Sequence, residues 1–455
     1  MKNTGIYLDE KGKIATINFN EFCRYLLTKI NLIYSSIDKH FYKYERGVYI
    51  RISNEEVSAI AREEMHVIVP DCWKPSYKQK CLEILQLERL QKEEFNKNNR
   101  FINLKNGLFD LKEYKVIAHT PKFLSTVQLP ILYDKNAECP NFIKFLHEIF
   151  EDDETRIKLI QQLFGYCLTS STKAQKAFIL QGSGANGKSV LLSILTALVG
   201  KENVSNLPIS SLGSHFKVVD LLNKNVNIVS EGNFKTTFFS SEVFKAVVAG
   251  DNCFAEHKYG DTFSLQPKCK IIIAVNHLPN IKDTSYGMER RLVVIPFTRI
   301  FRQGEQDKFL TQKLKKELSG IFNFALEGLK ELRQNKYNFV FSKACDKASR
   351  EFFHHNNPIK EFVETQIYES PASHITYKIL WEIYLSWLCK EGISSPNHLD
   401  RRQFSTDIRT VLDNVGIPYK TGKKSNGDRR IDGIAIKNEL YQQYKQEDLN
   451  LWNYK

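Results

Sequence analysis

The stretch from Phe178 to Ser189 reads Phe-Ile-Leu-Gln-Gly-Ser-Gly-Ala-Asn-Gly-Lys-Ser and limits the chain to a narrow set of folds. A short apolar run enters a loop with three glycines. The loop ends in Gly187-Lys188-Ser189, and an apolar helical pattern opens at Val190. This is G-x-x-x-x-G-K-S between a strand and a helix, the setting in which such a loop cradles phosphate. Gly182, Gly184 and Gly187 let backbone N–H groups turn inward and approach phosphate oxygens closely. Ser183, Ala185 and Asn186 complete the loop, and the helix start adds its positive end. Lys188 supplies a point charge for the β- and γ-phosphates, and the Ser189 hydroxyl a Mg²⁺ ligand. A glycine turn that merely caps a helix is the plainer reading; the strand–loop–helix setting favours nucleotide binding, with ATP and Mg²⁺ as the ligands.

The chain has 455 residues, enough for two to four domains, and a hydrophobic fraction of 42% that can fill real cores. It has no apolar run of about 18 residues and no signal-peptide pattern at its start, so neither a membrane span nor export is expected. Nine scattered cysteines without a C-x-x-C pair argue against a zinc site and a disulfide framework, and fit a reduced, cytoplasmic setting. The net charge of +13 suggests a polyanionic partner, with a merely lysine-rich chain as the alternative.

Three blocks are expected. Residues 1–150 read as an α+β accessory region. A strand falls near Val48–Ile52, helices start at Asn54 and Tyr77, and a hairpin turns at Asn106-Gly107. Residues 151–335 alternate strand and helix signals, as an α/β domain with a buried parallel sheet should. Its strand candidates are Ala177–Leu180, Asn225–Ser230, Lys270–Val275 and Leu292–Pro296. In residues 358–455, helices Thr376–Lys390 and Arg401–Val415 precede a basic hairpin and a strand at Ile431–Ile436, the pattern of a winged helix.

Further residues suggest what the loop serves. Glu231 closes the run Val226–Ser230, and an acid at the end of an adjacent strand can hold Mg²⁺ and polarise the attacking water. Asn276 ends the buried run Ile271–Val275, where an amide could orient that water or touch the γ-phosphate. Arg290 and Arg291 stand just before the last strand; in a ring such an arginine reaches the neighbour's nucleotide. Each has a plainer reading: a surface carboxylate, a turn asparagine, a salt-bridged strand end.

The order of these residues resembles the superfamily 3 helicases, in their phage, plasmid and poxvirus primase-helicase branch. The resemblance runs from about residue 100 to about 300. It includes Asn106-Gly107, His119-Thr120-Pro121, Cys139-Pro140, Gly165-Tyr166, the loop itself, Glu231, Phe244-Lys245, Ala249-Gly250-Asp251, Asn276 and Arg290-Arg291 ahead of Ile295-Pro296-Phe297. It implies a homo-hexameric AAA+ ring that moves on single-stranded DNA, with 3′ to 5′ travel. Lys188 and Glu231 would be the Walker residues, Asn276 the sensor, and Arg290 or Arg291 the finger. The chain departs from the pattern at Ser230, where many relatives carry a second acid. Magnesium would then rest on Ser189 and Glu231. A DNA-tracking hairpin would carry His257, Lys258 and Tyr259. Residues 1–100 show no paired-carboxylate motif, so no priming activity is expected.

Between Arg401 and Arg430 eight cations face three anions. As a winged helix, Arg401 and Arg402 would enter a major groove on their helix, and Lys423, Lys424, Arg429 and Arg430 would meet phosphate or a minor groove from the Thr421–Arg430 turn. A solvated charged face is the plainer reading. In relatives on mobile elements this block recognises a replication origin. The expected activity is therefore an ATP-driven DNA helicase and initiator, with duplex origin DNA and host replication proteins as partners. Two other classes remain: a nucleotide-switched DNA-binding assembly without unwinding, and a small-molecule kinase.

Overall fold

The computed structural model describes residues 4–230, 241–256, 262–279, 281, 283–392, 400–423, 429–437, 439 and 442. The chain divides into two compact units, Met1–Pro279 with Arg291–Asp346, and Asn280–Arg290 with Lys347–Lys455.

The first unit holds a parallel five-stranded sheet. Its strands are β1 (Ala177–Gln181), β2 (Val204–Ser205), β3 (Val226–Ser230), β4 (Lys270–Val275) and β5 (Leu292–Pro296), in the order β2-β3-β4-β1-β5. The four runs read as strands form, because each is a short apolar stretch that both faces of a covered sheet can bury. The two-residue edge strand β2 was not legible. One expectation is corrected here: the strand that leads to Glu231 is not next to the loop strand. β4 lies between β3 and β1, so the asparagine strand is the loop's neighbour.

Helix α1 (Lys188–Val199) follows β1, and Gly187 stands before it at φ +85°. Helices Glu154–Cys167 and Leu318–Gln334 pack together through two glycines. A Cβ at Gly165 would collide with the Ala325 carbonyl, and one at Gly328 with the Gln161 carbonyl. The glycines are needed for that close backbone approach rather than for helix formation, which they disfavour. Asp153 caps the first helix by accepting from the N–H groups of Thr155 and Arg156.

One core runs from Ile102 to Cys345 and wraps the sheet. It draws in Phe142, Phe145, Leu146, Ile149 and Phe150, so residues 102–150, grouped above with the N-terminal region, share the sheet's core. A separate core between Ile6 and Leu85 serves a four-stranded sheet, Val48–Ile52, Phe41–Glu45, Leu32–Ser35 and Leu90–Gln91 in that order, with helices Phe19–Leu26, Asn54–Ile68 and Tyr77–Glu88.

The second unit has its own core from Ile359 to Ile436. Its elements follow as α2 (Pro358–Gln366), β6 (Ile367–Thr376), α3 (Tyr377–Lys390), α4 (Arg401–Val415), β7 (Lys420–Lys423) and β8 (Arg429–Ile436), with an antiparallel sheet ordered β6-β8-β7. Both helices expected from the sequence are present. Strand β6 was missed: its register slips between Glu369 and His374, around Pro371, which hides the alternation of an ordinary strand. Thr284 and Glu289, far upstream, belong to this unit. Asn357 Nδ2 donates to Thr284 Oγ1 (2.9 Å), and Lys360 pairs with Glu289 (2.8 Å).

Candidate nucleotide site

The loop leaves the C-terminal end of β1, where Gly182 N donates to the Val275 carbonyl (3.1 Å) and Phe297 N to the Gln181 carbonyl (2.7 Å). The loop is thereby fixed between β4 and β5. A Cβ on Gly182 would collide with the Asn186 amide and come within 2.7 Å of the Phe297 carbonyl, so glycine is required there. At Gly184, φ is +105° and nothing lies within 4 Å of the Cβ position; this side of the loop is open. Ala185 also takes positive φ, +50°, a sparsely populated region for a residue with a side chain. Its carbonyl accepts from Phe301 N (2.7 Å), which holds the turn.

Lys188 is only 6% exposed. Its Nζ donates to the Gly182 carbonyl (2.5 Å), Asn186 Oδ1 (3.1 Å) and Asn276 Oδ1 (3.4 Å). The ammonium is thus held over the loop by three oxygens, one of them from the end of the neighbouring strand. Asn186 is buried, and its Nδ2 has no hydrogen-bond partner among the described residues. A buried amide donor left without an acceptor costs about 1–3 kcal/mol. An incoming phosphate oxygen would supply the acceptor, so the donor set fits a triphosphate. Ser183, an exposed loop residue, completes the turn.

These groups face a cleft of about 810 Å³ that Gly184 to Ser189, Ser230 and Asn276 line. The structure therefore brings together Lys188, Ser189 and Asn276, read separately from the sequence. Ser230 faces the cleft where a second acid was considered. Glu231, read as catalytic and as a metal ligand, lies outside the described residues. Among the described residues no group of three or more histidines, cysteines or carboxylates could hold a metal.

Several lining residues were not anticipated. Lys144, Phe145 and Glu148 come from helix Pro140–Phe150; Phe301, Lys308 and Lys313 come from the segment after β5. Lys313 pairs with Asp307 (2.7 Å). In a chain this rich in lysine, no spacing distinguished them from surface residues. Phe301, which follows the last strand closely, was the one available signal.

The arginines lie elsewhere. Arg291 directly precedes β5, and its carbonyl accepts from Ala177 N at the start of β1 (2.8 Å). It stands at the N-terminal end of parallel strands, about 15 Å along them from the loop. Arg290 is exposed and falls in the second unit. The fold does not place Arg291 in its own subunit's cleft.

Cys253–Glu256 and Thr262–Leu265 form the expected antiparallel hairpin. His257, Lys258 and Tyr259, which lie between these strands in sequence, are outside the described residues. In the second unit, Arg401 and Arg402 are exposed at the start of α4, capped by Asp400, and Lys423 and Arg429 pair across β7 and β8. Arg430 is partly engaged: its Nε lies 2.8 Å from Asp432 Oδ1. Lys424 lies outside the described residues. No described helix is long and apolar enough to cross a membrane.

Comparison with known proteins gives three segment matches. Residues 21–151 match the D5 N terminal like family, 180–291 a family of unknown function, and 354–451 the poxvirus D5 protein-like family. Among viral proteins named "putative helicase", one from Acanthamoeba polyphaga mimivirus is 30% identical over 49% of this chain. One from Invertebrate iridescent virus 6 is 22% identical over 69% of it. The matched parts are 24% and 37% of those proteins, so the chain spans about a quarter to a third of their length. The solved C-terminal region of NrS-1 shares the fold. One such structure has a TM-score of 0.55 at 15% identity and covers 91% of this chain and 98% of its own. The chain is thus similar in sequence to parts of viral proteins named putative helicase and in fold to the C-terminal region of NrS-1.

Proposed function

We propose that this chain is an ATP-hydrolysing DNA helicase subunit of superfamily 3, with an AAA+ core and a C-terminal winged helix. The observation that carries the reading is the grip on Lys188 by Gly182, Asn186 and Asn276 at the C-terminal end of a parallel sheet. Bound nucleotide would compete for those oxygens. The β- and γ-phosphates would take the Lys188 ammonium and the orphaned Asn186 donor, and Ser189 with Glu231 would hold Mg²⁺, which neutralises charge on the transferring phosphoryl group. Asn276, freed from the lysine, would orient the attacking water, and Glu231 would accept its proton.

An arginine at the far end of the strands supports a ring. Arg291 cannot complete its own cleft but could reach a neighbour's, so a hexamer would build each site from two subunits. The order of α2, β6, α3, α4, β7 and β8, a helix, a strand, two helices and a hairpin, supports the winged-helix reading. There α4 would lie in a major groove with Arg401 and Arg402, and Lys423, Lys424, Arg429 and Arg430 would meet phosphate. His257, Lys258 and Tyr259 would track the translocated strand. Origin recognition and host replication proteins as loading partners follow from the same family reading.

The test is strand displacement on a forked duplex. Wild type should unwind it with ATP and Mg²⁺, and Lys188→Ala and Glu231→Gln should not. Equal DNA loading by wild type and Lys188→Ala, with unwinding by neither, would instead establish a nucleotide-switched assembly protein.

A further inference from the structure

We propose that a groove walled by Arg51, Lys105, Lys217 and Lys224, with the exposed Phe216 on the helix that carries Lys217 and the exposed Phe254 on the strand tied to that helix, binds single-stranded nucleic acid. The groove encloses about 1130 Å³ in the first unit and is separate from the nucleotide cleft. One wall is the edge strand Val48–Ile52 of the N-terminal sheet, and the other includes β2, the edge of the parallel sheet. Glu202 and Asp220 are its carboxylates, so cations outnumber anions. None of the four cations has a carboxylate within ion-pair distance among the described residues. Lys224 Nζ reaches only the Glu202 carbonyl (2.5 Å), Lys217 Nζ only Ser211 Oγ (3.4 Å), and Arg51 the His40 ring.

Cations on edge strands have a plainer use, which is to stop edges from pairing with other chains. The neighbouring aromatics are not explained by that. Phe216 is 55% exposed and Phe254 is 69% exposed. His215 Nδ1 bonds the Phe254 carbonyl (3.1 Å), which ties the short helix His215–Val218 carrying Phe216 to the strand Cys253–Glu256 carrying Phe254. Lys217, the residue after Phe216, faces the groove. Cations for a phosphate backbone beside aromatic faces for bases are what sequence-tolerant single-strand binding uses. A second copy of the chain is the less suitable occupant, because charged side chains are depleted in the cores of protein interfaces.

The inference rests on the nucleic-acid part of the reading above but not on the ATPase. Binding of a fluorescent thirty-nucleotide oligothymidylate is measured by anisotropy over a salt series, on the full chain without nucleotide. The variants are Arg51→Gln/Lys105→Gln/Lys217→Gln and Phe216→Ala/Phe254→Ala. The cation variant should bind at least about ten-fold more weakly, and its log–log salt slope should fall by about two, given about 0.7 per neutralised phosphate on single strands. The aromatic variant should lose about ten-fold in affinity with its salt slope kept. Both should melt like wild type and bind ATP unchanged. Unchanged affinity and slope would overturn the proposal. So would a change in oligomeric mass without a change in oligonucleotide affinity, which would assign the groove to chain–chain contact. Loss of DNA binding in these variants, in a protein that hydrolyses no ATP, would keep the groove and sink the motor; the converse result would do the reverse.

Discussion

Two buried lysines stand at opposite ends of the same parallel sheet. Lys188 follows β1 at the C-terminal end of the strands; Lys270 opens β4 at the N-terminal end. Both grip backbone carbonyls. Lys270 Nζ donates to the carbonyls of Thr169 and Lys268 and lies 5.0 Å from the centre of the Tyr166 ring. Their surroundings then diverge. Lys188 faces a cleft beside an amide that lacks an acceptor. Lys270 is enclosed between the buried Cys167 and Cys269, and burial pulls its ammonium down to about 8. Burial by itself therefore does not make a site. An open volume and unspent donors do, and in open parallel sheets these collect at the carboxyl ends of the strands.

This contrast breaks most directly at Lys188. Replacing it with alanine should lower ATP hydrolysis by about 10²–10³-fold, the loss seen when one donor to transition-state charge is removed. Thermal stability should stay near wild type, because the lysine faces a cleft. A phosphate-release assay alongside a melting curve checks both. A collapse in melting temperature would make Lys188 a structural residue like its counterpart.

Lys270 should show the opposite behaviour, little role in hydrolysis and a clear role in pH-dependent stability. Its folded pKa lies below the unfolded value of about 10.4. The unfolded chain therefore binds more protons between about pH 8 and pH 10.4, and the lysine's contribution to stability rises with pH across that window. Below it, both states are charged and the folded one bears the burial cost. The cysteines beside it work against this trend, since burial raises both to about 12. The informative quantity is the difference between wild type and Lys270→Met in urea unfolding. It should move in favour of wild type by about 1–3 kcal/mol from about pH 8 to about pH 10.4, at about 1.4 kcal/mol per pH unit. A flat difference would show that the folded-state pKa of Lys270 is not lowered and that its ammonium is solvated.

Asn276 sharpens the comparison, because it joins the loop lysine to the next strand. Asn276→Ala should reduce kcat about ten-fold with a smaller change in KM, since its proposed work is on the water rather than on bound nucleotide. The smallest effect is expected away from the sheet. Arg401→Ala/Arg402→Ala should weaken duplex binding a few-fold, with the salt slope falling by about 0.9 for each phosphate that is no longer neutralised. Hydrolysis without DNA should be unchanged. An unaltered slope would return α4 to the status of a solvated face.

Much of this was legible from residue order. The loop, four of the five sheet strands and helix α4 each rest on local signals, an apolar run, a cap or a turn, whereas the hairpin around Phe254–Asp261 was expected from the family resemblance. What escaped had no local signal. Strand β2 has two residues, and β6 is interrupted near Pro371. The partition at residue 150 failed to show that Phe142 and Ile149 pack into the sheet's core, because an apolar helix face does not say which core it joins. Lys144, Lys308 and Lys313 were invisible among 65 lysines and arginines.

By itself, the sequence pointed to Gly182–Ser189 as a phosphate-binding loop, since that spacing of glycines, lysine and serine suits inward N–H groups and a charge. It also determined that strands would alternate with helices around the loop. The tertiary structure decided which residues meet. It put β4 rather than β3 beside the loop strand, so that Asn276 and not the Glu231 strand is the loop's immediate neighbour. It placed Arg291 at the wrong end of the strands for its own cleft. Strand order and the ends of parallel strands are set by pairing between segments far apart in the chain, and no local pattern encodes that pairing.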